Sequence, residues 1–405
     1  MSSRAASLCL LCRGAKGLCG KPVCPALALW RAVESVKPLS DLVLEGSSPP
    51  SVFVGRIGYP RVRLAPAAPP EAGDTRVYDT PERWLELGIG RVLEMRLSLV
   101  RGVTAVDVRK PEKLEELQLL AISSEPVDVE LKFAKLPKPG VKLDPFAPPM
   151  GPAAPAERVR VVGDPRPPRP LEKAFYDTDM GAEEAVVYLY ESGVPVSAIQ
   201  RAFSVGALGT GRLRRLIPTR WSITAVDDIV SRHLIERVKR LKVLDRYLFF
   251  ERKHEHNTFV AVIAPGVWSY EWIEAWFPHT TWNPGATVEV EGDWEGYRGR
   301  TAYASLGGCY YAARLAAAEY MLREGFQGTA ILIREIYEGF FLPIGVWFVR
   351  ENARAMFRSE PERYDSLREV LERLGRSTRL PLSVWLEKSA LLRRMLRQQR
   401  LEVWL

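Results

Sequence analysis

Gly308-Cys309-Tyr310-Tyr311-Ala312-Ala313-Arg314-Leu315-Ala316-Ala317-Ala318-Glu319-Tyr320-Met321-Leu322-Arg323 is a long Ala-rich run, and Ala330-Ile331-Leu332-Ile333-Arg334-Glu335 follows it closely. The first run is built from helix formers and reads as a helix. The second is short, apolar and β-branched, and reads as a strand. Outward from this pair, Thr258–Ala264 and Thr287–Glu291 read as strands upstream, and Ile344–Val349 as a strand downstream. Pro361–Leu374 reads as a helix. Helices and strands are mixed without regular βαβ alternation, which predicts an α+β fold with mostly antiparallel strands. No repeat of 20–50 residues is visible.

Earlier parts of the chain follow the same logic. Helices are expected at Ala182–Ser192 and Val196–Phe203. A longer one is expected at Ala225–Leu241, with Thr224 as its N-cap and Asp227 and Asp228 in its first turn. Residues 31–136 form a first globular segment with strands at Ser51–Gly55 and Val127–Phe133 and a helical stretch at Pro81–Leu87. Between Pro137 and Pro170 stand eleven prolines, so residues 137–170 are expected to carry no regular element. The segment is a linker or a surface strap, and apolar Phe146 and Met150 favour the strap. Residues 171–375 form the main α+β domain, and residues 376–405 a basic tail with one helix over Pro381–Arg397.

At 405 residues the chain can hold two or three domains with sizeable cores. No run of about 18 apolar residues predicts a membrane span, and no signal-like stretch follows Met1, so a cytoplasmic protein is expected. The net charge is +8 and is carried largely by Arg, which suits a polyanionic partner such as DNA. Asn and Gln are scarce among many Arg, Glu and Pro, a composition expected of a hyperthermophile.

Cys9, Cys12, Cys19 and Cys24 are spaced C-x2-C-x6-C-x4-C within residues 1–30. Four thiolates at this spacing suit a closed tetrahedral zinc site that folds a segment too short for its own core. Disulfides and an iron–sulfur cluster are the alternatives. A closed site leaves no open coordination position, so its role is structural or DNA-contacting.

Two blocks carry candidate chemistry. Phe53-Val54-Gly55-Arg56-Ile57-Gly58-Tyr59-Pro60 is a strand running into a Gly-rich loop that would bring Arg56 and Tyr59 to a phosphate. It lacks the P-loop Lys-Ser/Thr, which argues against ATP hydrolysis. Pro218-Thr219-Arg220-Trp221-Ser222 follows Arg212, Arg214 and Arg215, and the pairing of Arg220 with Trp221 suits phosphate clamping and base stacking. Asp227 and Asp228, with Arg220 and Arg56, are the catalytic candidates should the chain be an enzyme. Trp268, Trp272 and Trp276 are four apart, on one face if the segment is helical: core packing or a stacking platform. His254 and His256 read as a polar turn between strands.

The last eight residues, Gln398-Gln399-Arg400-Leu401-Glu402-Val403-Trp404-Leu405, resemble the peptide by which proteins bind the sliding clamp, the PCNA-interacting motif. There a helical turn would present Leu401, Trp404 and Leu405 on one face while Gln398 fills its own small pocket. The same residues also fit the apolar stripe of an ordinary helix end.

Longer blocks carry a second resemblance. Phe53-Val54-Gly55-Arg56-x-Gly58-Tyr59-Pro60, Leu99-Val100-Arg101-Gly102, Pro218–Asp228, Gly308-x-Tyr310-Tyr311-Ala312-x-Arg314-Leu315 and Gly345-Val346-Trp347-x-Val349-Arg350-Glu351 resemble the archaeal DNA repair NreA family over nearly the whole chain. The resemblance implies an N-terminal cysteine module, a terminal clamp-binding peptide and a role in DNA repair with the clamp. Trp404-Leu405 stands where two aromatics are expected. The resemblance implies no reaction, so an enzyme acting on damaged DNA or a nucleotide adduct (a nuclease or hydrolase) and an RNA-associated zinc protein stay as alternatives.

Overall fold

The computed structural model describes residues 39–402, apart from 111–113, 281, 284 and 341. Cys9, Cys12, Cys19, Cys24, Trp404 and Leu405 lie outside the described residues. The chain divides into two compact units. One holds residues 39–230 with 343–348, the other residues 231–342 with 349–402.

The first unit is built on a six-stranded sheet. Its strands are β1 (Val43–Ser48), β2 (Ser51–Val54), β3 (Arg61–Ala68), β4 (Val100–Asp107), β5 (Val127–Phe133) and β6 (Ala153–Val161), in the spatial order β1-β5-β6-β4-β3-β2. All neighbours are antiparallel except β4 and β6. In β5 the residues alternate between buried and more exposed, which leaves one face for the core. Helices α1 (Gly88–Ser98), α2 (Glu115–Ile122), α3 (Arg169–Tyr176), α4 (Ala182–Glu191), α5 (Val196–Ser204) and the start of α6 (Thr219–Val238) complete the unit.

Strand β6 corrects an expectation. It runs through the proline-rich segment, and Pro155 sits within it. Pro155 is tolerated because it ends the three-residue pairing of β6 with β4, Ala153 to Pro155, and precedes the residues that pair with β5 from Ala156 on. Before β6, Lys142 and Met150 pair across a loop, the strap, with Met150 buried.

The second unit holds another six-stranded sheet: β8 (Tyr247–His254), β9 (Asn257–Ala264), β10 (Ser269–Trp276), β11 (Glu289–Glu295), β13 (Thr329–Ile336) and β14 (Glu362–Tyr364), in the order β11-β10-β13-β9-β8-β14. Only β10 and β13 are parallel. A two-stranded sheet pairs β7 (Lys242–Val243) with β12 (Phe326–Gln327). Strands β9 and β13 are buried along their whole length, so both faces of the sheet are covered. On one face lie α9 (Leu367–Ser377), α10 (Leu382–Lys388) and α11 (Ala390–Glu402), whose Leu374, Trp385, Leu391 and Leu392 pack on Val260, Val262, Ile273, Ile331 and Ile333. Each such side chain contributes about 1.5–3 kcal/mol by leaving water. On the other face lies the Ala-rich α7 (Gly308–Glu324), where Tyr310 packs edge-on against Tyr270. In α9, Leu367, Val370, Leu371 and Leu374 follow the helical period, and Ser366 with Glu369 forms a capping box. The mixed, mostly antiparallel α+β architecture is the one the sequence predicts.

Four further local readings differ. The segment expected as strand Ile344–Val349 turns into helix α8 (Trp347–Met356), because Gly345 takes φ +100° and ends the extended chain. The expected single helix Pro381–Arg397 is broken at Ser389, which is extended and whose hydroxyl accepts the N–H of Leu392, starting α11 afresh. Helix α6 starts at Thr219, six residues early, since the Pro218 carbonyl accepts the N–H groups of Trp221 and Ser222. Trp272 and Trp276 lie on strand β10, not on a helix face, and Trp268 and Trp272 are buried. Their rings are core packing and offer no stacking platform. No helix among the described residues is long and apolar enough to cross a membrane.

Candidate nucleic-acid interface

The surface of interest belongs to the first unit and starts at the β2–β3 hairpin. Gly55 continues the pairing by donating its N–H to the Arg63 carbonyl at 2.8 Å. The chain then turns through Arg56-Ile57-Gly58-Tyr59-Pro60, with the Arg61 N–H on the Gly58 carbonyl at 2.9 Å. Gly58 has φ +87°, and a Cβ there would meet the Arg61 oxygen at 2.7 Å, so the turn requires glycine. The tip exposes Arg56, Ile57 and Tyr59.

Helix α6 begins beside this hairpin. The Val54 N–H donates to Thr219 Oγ1 at 2.9 Å, and Ser204 Oγ lies 3.2 Å from the same oxygen. This fixes the first turn of α6 against the end of β2, and places Trp221 with its ring centroid 5.4 Å from that of Tyr59. Tyr59 is 49 % and Trp221 47 % exposed, so the pair is an aromatic surface and not a piece of core. Asp227, two turns along α6, is fully buried and accepts Gln200 Nε2 at 3.0 Å.

The strap supplies the third side. Arg220 lies over the Phe146 ring, 3.7 Å from guanidinium carbon to centroid, and 3.9 Å from Asp144. Asp144 Oδ1 also accepts the N–H groups of Phe146 and Ala147 at 2.8 and 3.2 Å. Lys142 Nζ lies 5.6 Å and the Arg101 guanidinium 5.9 Å from the centroid of Phe53 on β2. Cations over ring faces gain from the ring quadrupole, which helps to hold both in place.

Arg101 is the unusual member. It is 8 % exposed, and it donates to the Gly151 carbonyl at 2.9 Å and to the Met150 sulfur at 3.4 Å. Its Nε has no hydrogen-bond partner among the described residues, and no carboxylate there pairs with it. Burial, with Arg96 adding repulsion, pushes its pKa down to about 10. Lys142 is held below the ordinary lysine value by partial burial and by the charges of Arg101, Arg63 and Arg56, with Asp144 acting against them.

The structure therefore brings together Arg56, Tyr59, Arg220 and Trp221 of the residues read from sequence. Arg214 is committed elsewhere, donating to the carbonyls of Gly209, Phe175 and Asp177 at 2.7, 2.6 and 2.8 Å. Arg212 lies in the short turn Gly211–Leu213, and Arg215 is exposed after it. Asp228 lies on α6 beside the buried Asp227. Gln398 and Leu401 lie in the last turns of α11. Sequence reasoning missed Arg63, Lys142, Asp144 and the role of Arg101. The available signal was Leu99-Val100-Arg101-Gly102, an Arg in an apolar strand with no acid nearby to neutralise it. No group of His, Cys, Asp and Glu able to hold a metal ion occurs among the described residues.

Comparison with known proteins matches nearly the whole chain. Residues 18–283 match the model of the archaeal Nre N-terminal region, and residues 295–404 that of the archaeal Nre C-terminal region. The chain belongs to the archaeal Nre family. It is similar to DNA repair protein NreB of Archaeoglobus fulgidus, 50 % identical over 386 residues, which is 95 % of this chain and 97 % of the relative. It is similar also to DNA repair protein NreA of the same organism, 36 % identical over 372 residues, with 91 % and 93 % covered. DNA repair protein NreA of Haloferax volcanii is 36 % identical over 352 residues, with 82 % and 83 % covered. No solved structure matches the chain. Arg56, Tyr59, Arg101 and Pro218–Asp228, which carry the resemblance described from sequence, stand around this interface.

Proposed function

We propose that this Nre protein is a cytoplasmic DNA repair factor recruited to DNA by the PCNA sliding clamp through Gln398, Leu401, Trp404 and Leu405. The observation that carries the repair role is similarity over nearly the full chain to relatives named DNA repair proteins.

The rooting of α11 supports the clamp reading. Glu271 on β10 accepts the N–H groups of Ala390 and Leu391 at 2.7 and 3.1 Å, and Ser389 Oγ donates to the same carboxylate. Leu391 and Leu392 are buried in the core below. The helix is thus rooted on the core as far as Met395 and Leu396, and Gln398 and Leu401 follow in its last turns. The cationic and aromatic surface of the first unit supports DNA as the second partner.

Removing residues 398–405 is expected to abolish binding to purified clamp in a titration, with the melting temperature unchanged. Unchanged affinity overturns the clamp reading. Zinc on Cys9, Cys12, Cys19 and Cys24 belongs to the same proposal and rests on ligand number and spacing. One zinc per chain by elemental analysis, lost with Cys9→Ser and Cys12→Ser together, is the expected result. The nuclease or hydrolase alternative keeps Asp228, Arg220 and Arg56, which are half-buried or exposed, but loses Asp227, which is enclosed in the core.

A further inference from the structure

Around the strap of the first unit, Arg56, Arg63, Arg101, Lys142 and Arg220 stand against one carboxylate, Asp144. That carboxylate is already occupied by two backbone N–H groups and reaches Arg220 only at 3.9 Å. Arg56, Arg63, Arg101 and Lys142 form no ion pair within 4 Å among the described residues, and Asp144 is the one carboxylate whose charge bears on Lys142. Three of these charges bear on the fourth, Lys142. A folded protein does not gather like charges around a buried guanidinium without an offsetting interaction, since both burial and repulsion cost free energy. Phosphate is the anion whose several acceptor oxygens suit guanidinium forks and an ammonium together. The positive end of α6 opens beside the same hairpin and adds to the field. The exposed Tyr59 and Trp221 rings adjoin Arg220 and supply what a phosphate alone does not need, a stacking surface.

We propose that this cluster is a nucleotide site, with the phosphate on Arg101, Lys142, Arg63 and Arg56 and the base against Tyr59 and Trp221. A nucleoside monophosphate unit fits this chemistry, either free or as the phosphorylated end of a DNA strand. The DNA source rests on the repair reading above; the phosphate site does not. Clamp binding is measured on the other unit, so either reading can fail alone.

The test is calorimetric titration of the full chain at fixed ionic strength with dAMP, deoxyadenosine, inorganic phosphate, and a short single-stranded oligodeoxynucleotide with or without a 5′ phosphate. Binding of dAMP is expected to exceed that of phosphate by about tenfold, and deoxyadenosine is expected not to bind. Arg101→Gln is expected to weaken dAMP at least about tenfold, and Arg101→Lys less. Because Arg101 is buried, Lys142→Ala and Arg63→Ala at exposed positions make the same test without touching the core. Trp221→Ala is expected to weaken dAMP about tenfold and leave inorganic phosphate unchanged. A 5′-phosphate requirement in the oligonucleotide assigns the site to strand ends; dAMP binding with no such requirement assigns it to free nucleotide. The proposal is overturned if no phosphorylated compound binds or if deoxyadenosine binds as well as dAMP. It is overturned equally if the exposed control Arg91→Ala, which removes the same charge elsewhere, costs as much as Lys142→Ala.

Discussion

Glu271 caps the helix that begins at Ala390: its Oε1 accepts the Ala390 N–H at 2.7 Å, across 119 residues of sequence. Together with Ser389 Oγ and the Leu391 N–H, this ties a β-strand of the central sheet to the first turn of the C-terminal helix. Glu271→Gln keeps the volume but offers one acceptor oxygen where two are used, and sets an amide donor against N–H donors. A loss of about 1–3 kcal/mol in urea unfolding is expected, with the midpoint shifted and the slope unchanged. Clamp affinity is expected to fall less than on removal of residues 398–405, because the peptide itself is intact.

Arg314 and Glu295 form an enclosed ion pair of the second unit, at 2.8 Å with side chains 2 % and 1 % exposed. Arg314 also donates to Ser231 Oγ at 3.1 and 2.9 Å, and Tyr310 donates to Glu295 at 3.0 Å. Breaking one side strands a buried charge. Arg314→Met alone is expected to cost about 3–5 kcal/mol, and Arg314→Met with Glu295→Gln less than that. Denaturant unfolding of the single and double variants measures it; a double variant that loses the sum of both single losses shows no coupling.

Much of this was legible in the sequence, for identifiable reasons. Thr258–Ala264, Gly308–Arg323 and Ala330–Glu335 declare themselves because burial on both faces of the sheet and of the Ala-rich helix leaves long uniform runs. Of His254 and His256, which read as a polar turn between strands, His254 ends β8 and the turn itself falls on Glu255 and His256, both at positive φ, 47° and 56°. Local pattern failed where a distant partner decides. Nothing near Ser389 announces a helix break; the cause is Glu271 on another strand. Nothing near Trp268 and Trp272 distinguishes four-residue spacing on a helix from same-face spacing on a strand. The interface followed the same rule. Arg56, Tyr59, Arg220 and Trp221 sit in dense, unusual blocks. Arg101, Lys142 and Arg63 look ordinary until the strap folds over β2 and brings them together with Asp144 as their one nearby counter-charge.

Gly58 sets the tip of the hairpin that presents Tyr59. Its φ of +87° and the 2.7 Å approach of the Arg61 oxygen to any Cβ leave no room for a branched side chain. Gly58→Val is expected to cost about 1–3 kcal/mol by thermal unfolding, and to weaken dAMP binding as Tyr59 moves away from Trp221. Gly73, also at positive φ but with no atom near its absent Cβ, separates backbone strain from steric contact: Gly73→Val is expected to cost less and to leave dAMP binding unchanged.

The charge of Lys142 gives the nucleotide site a pH dependence with a definite sign. Partial burial first, then Arg101, holds its pKa below that of free lysine, while Asp144 acts the other way and Arg63 and Arg56 add to the depression. A group with a lowered pKa carries its positive charge only up to that lower pH. Binding of dAMP is therefore expected to be strong near neutrality, where the phosphate is doubly ionised, and to weaken as pH rises through the Lys142 value, before ordinary lysines titrate. Arg101, pushed down to about 10, extends the same decline. Lys142→Arg is expected to move the decline to higher pH, since guanidinium keeps its proton, and Lys142→Ala to remove its first part. Titrations from pH 7 to pH 10 at constant ionic strength check this: an affinity that stays level in the wild type, or that falls identically in Lys142→Ala, contradicts a Lys142 contact with the phosphate.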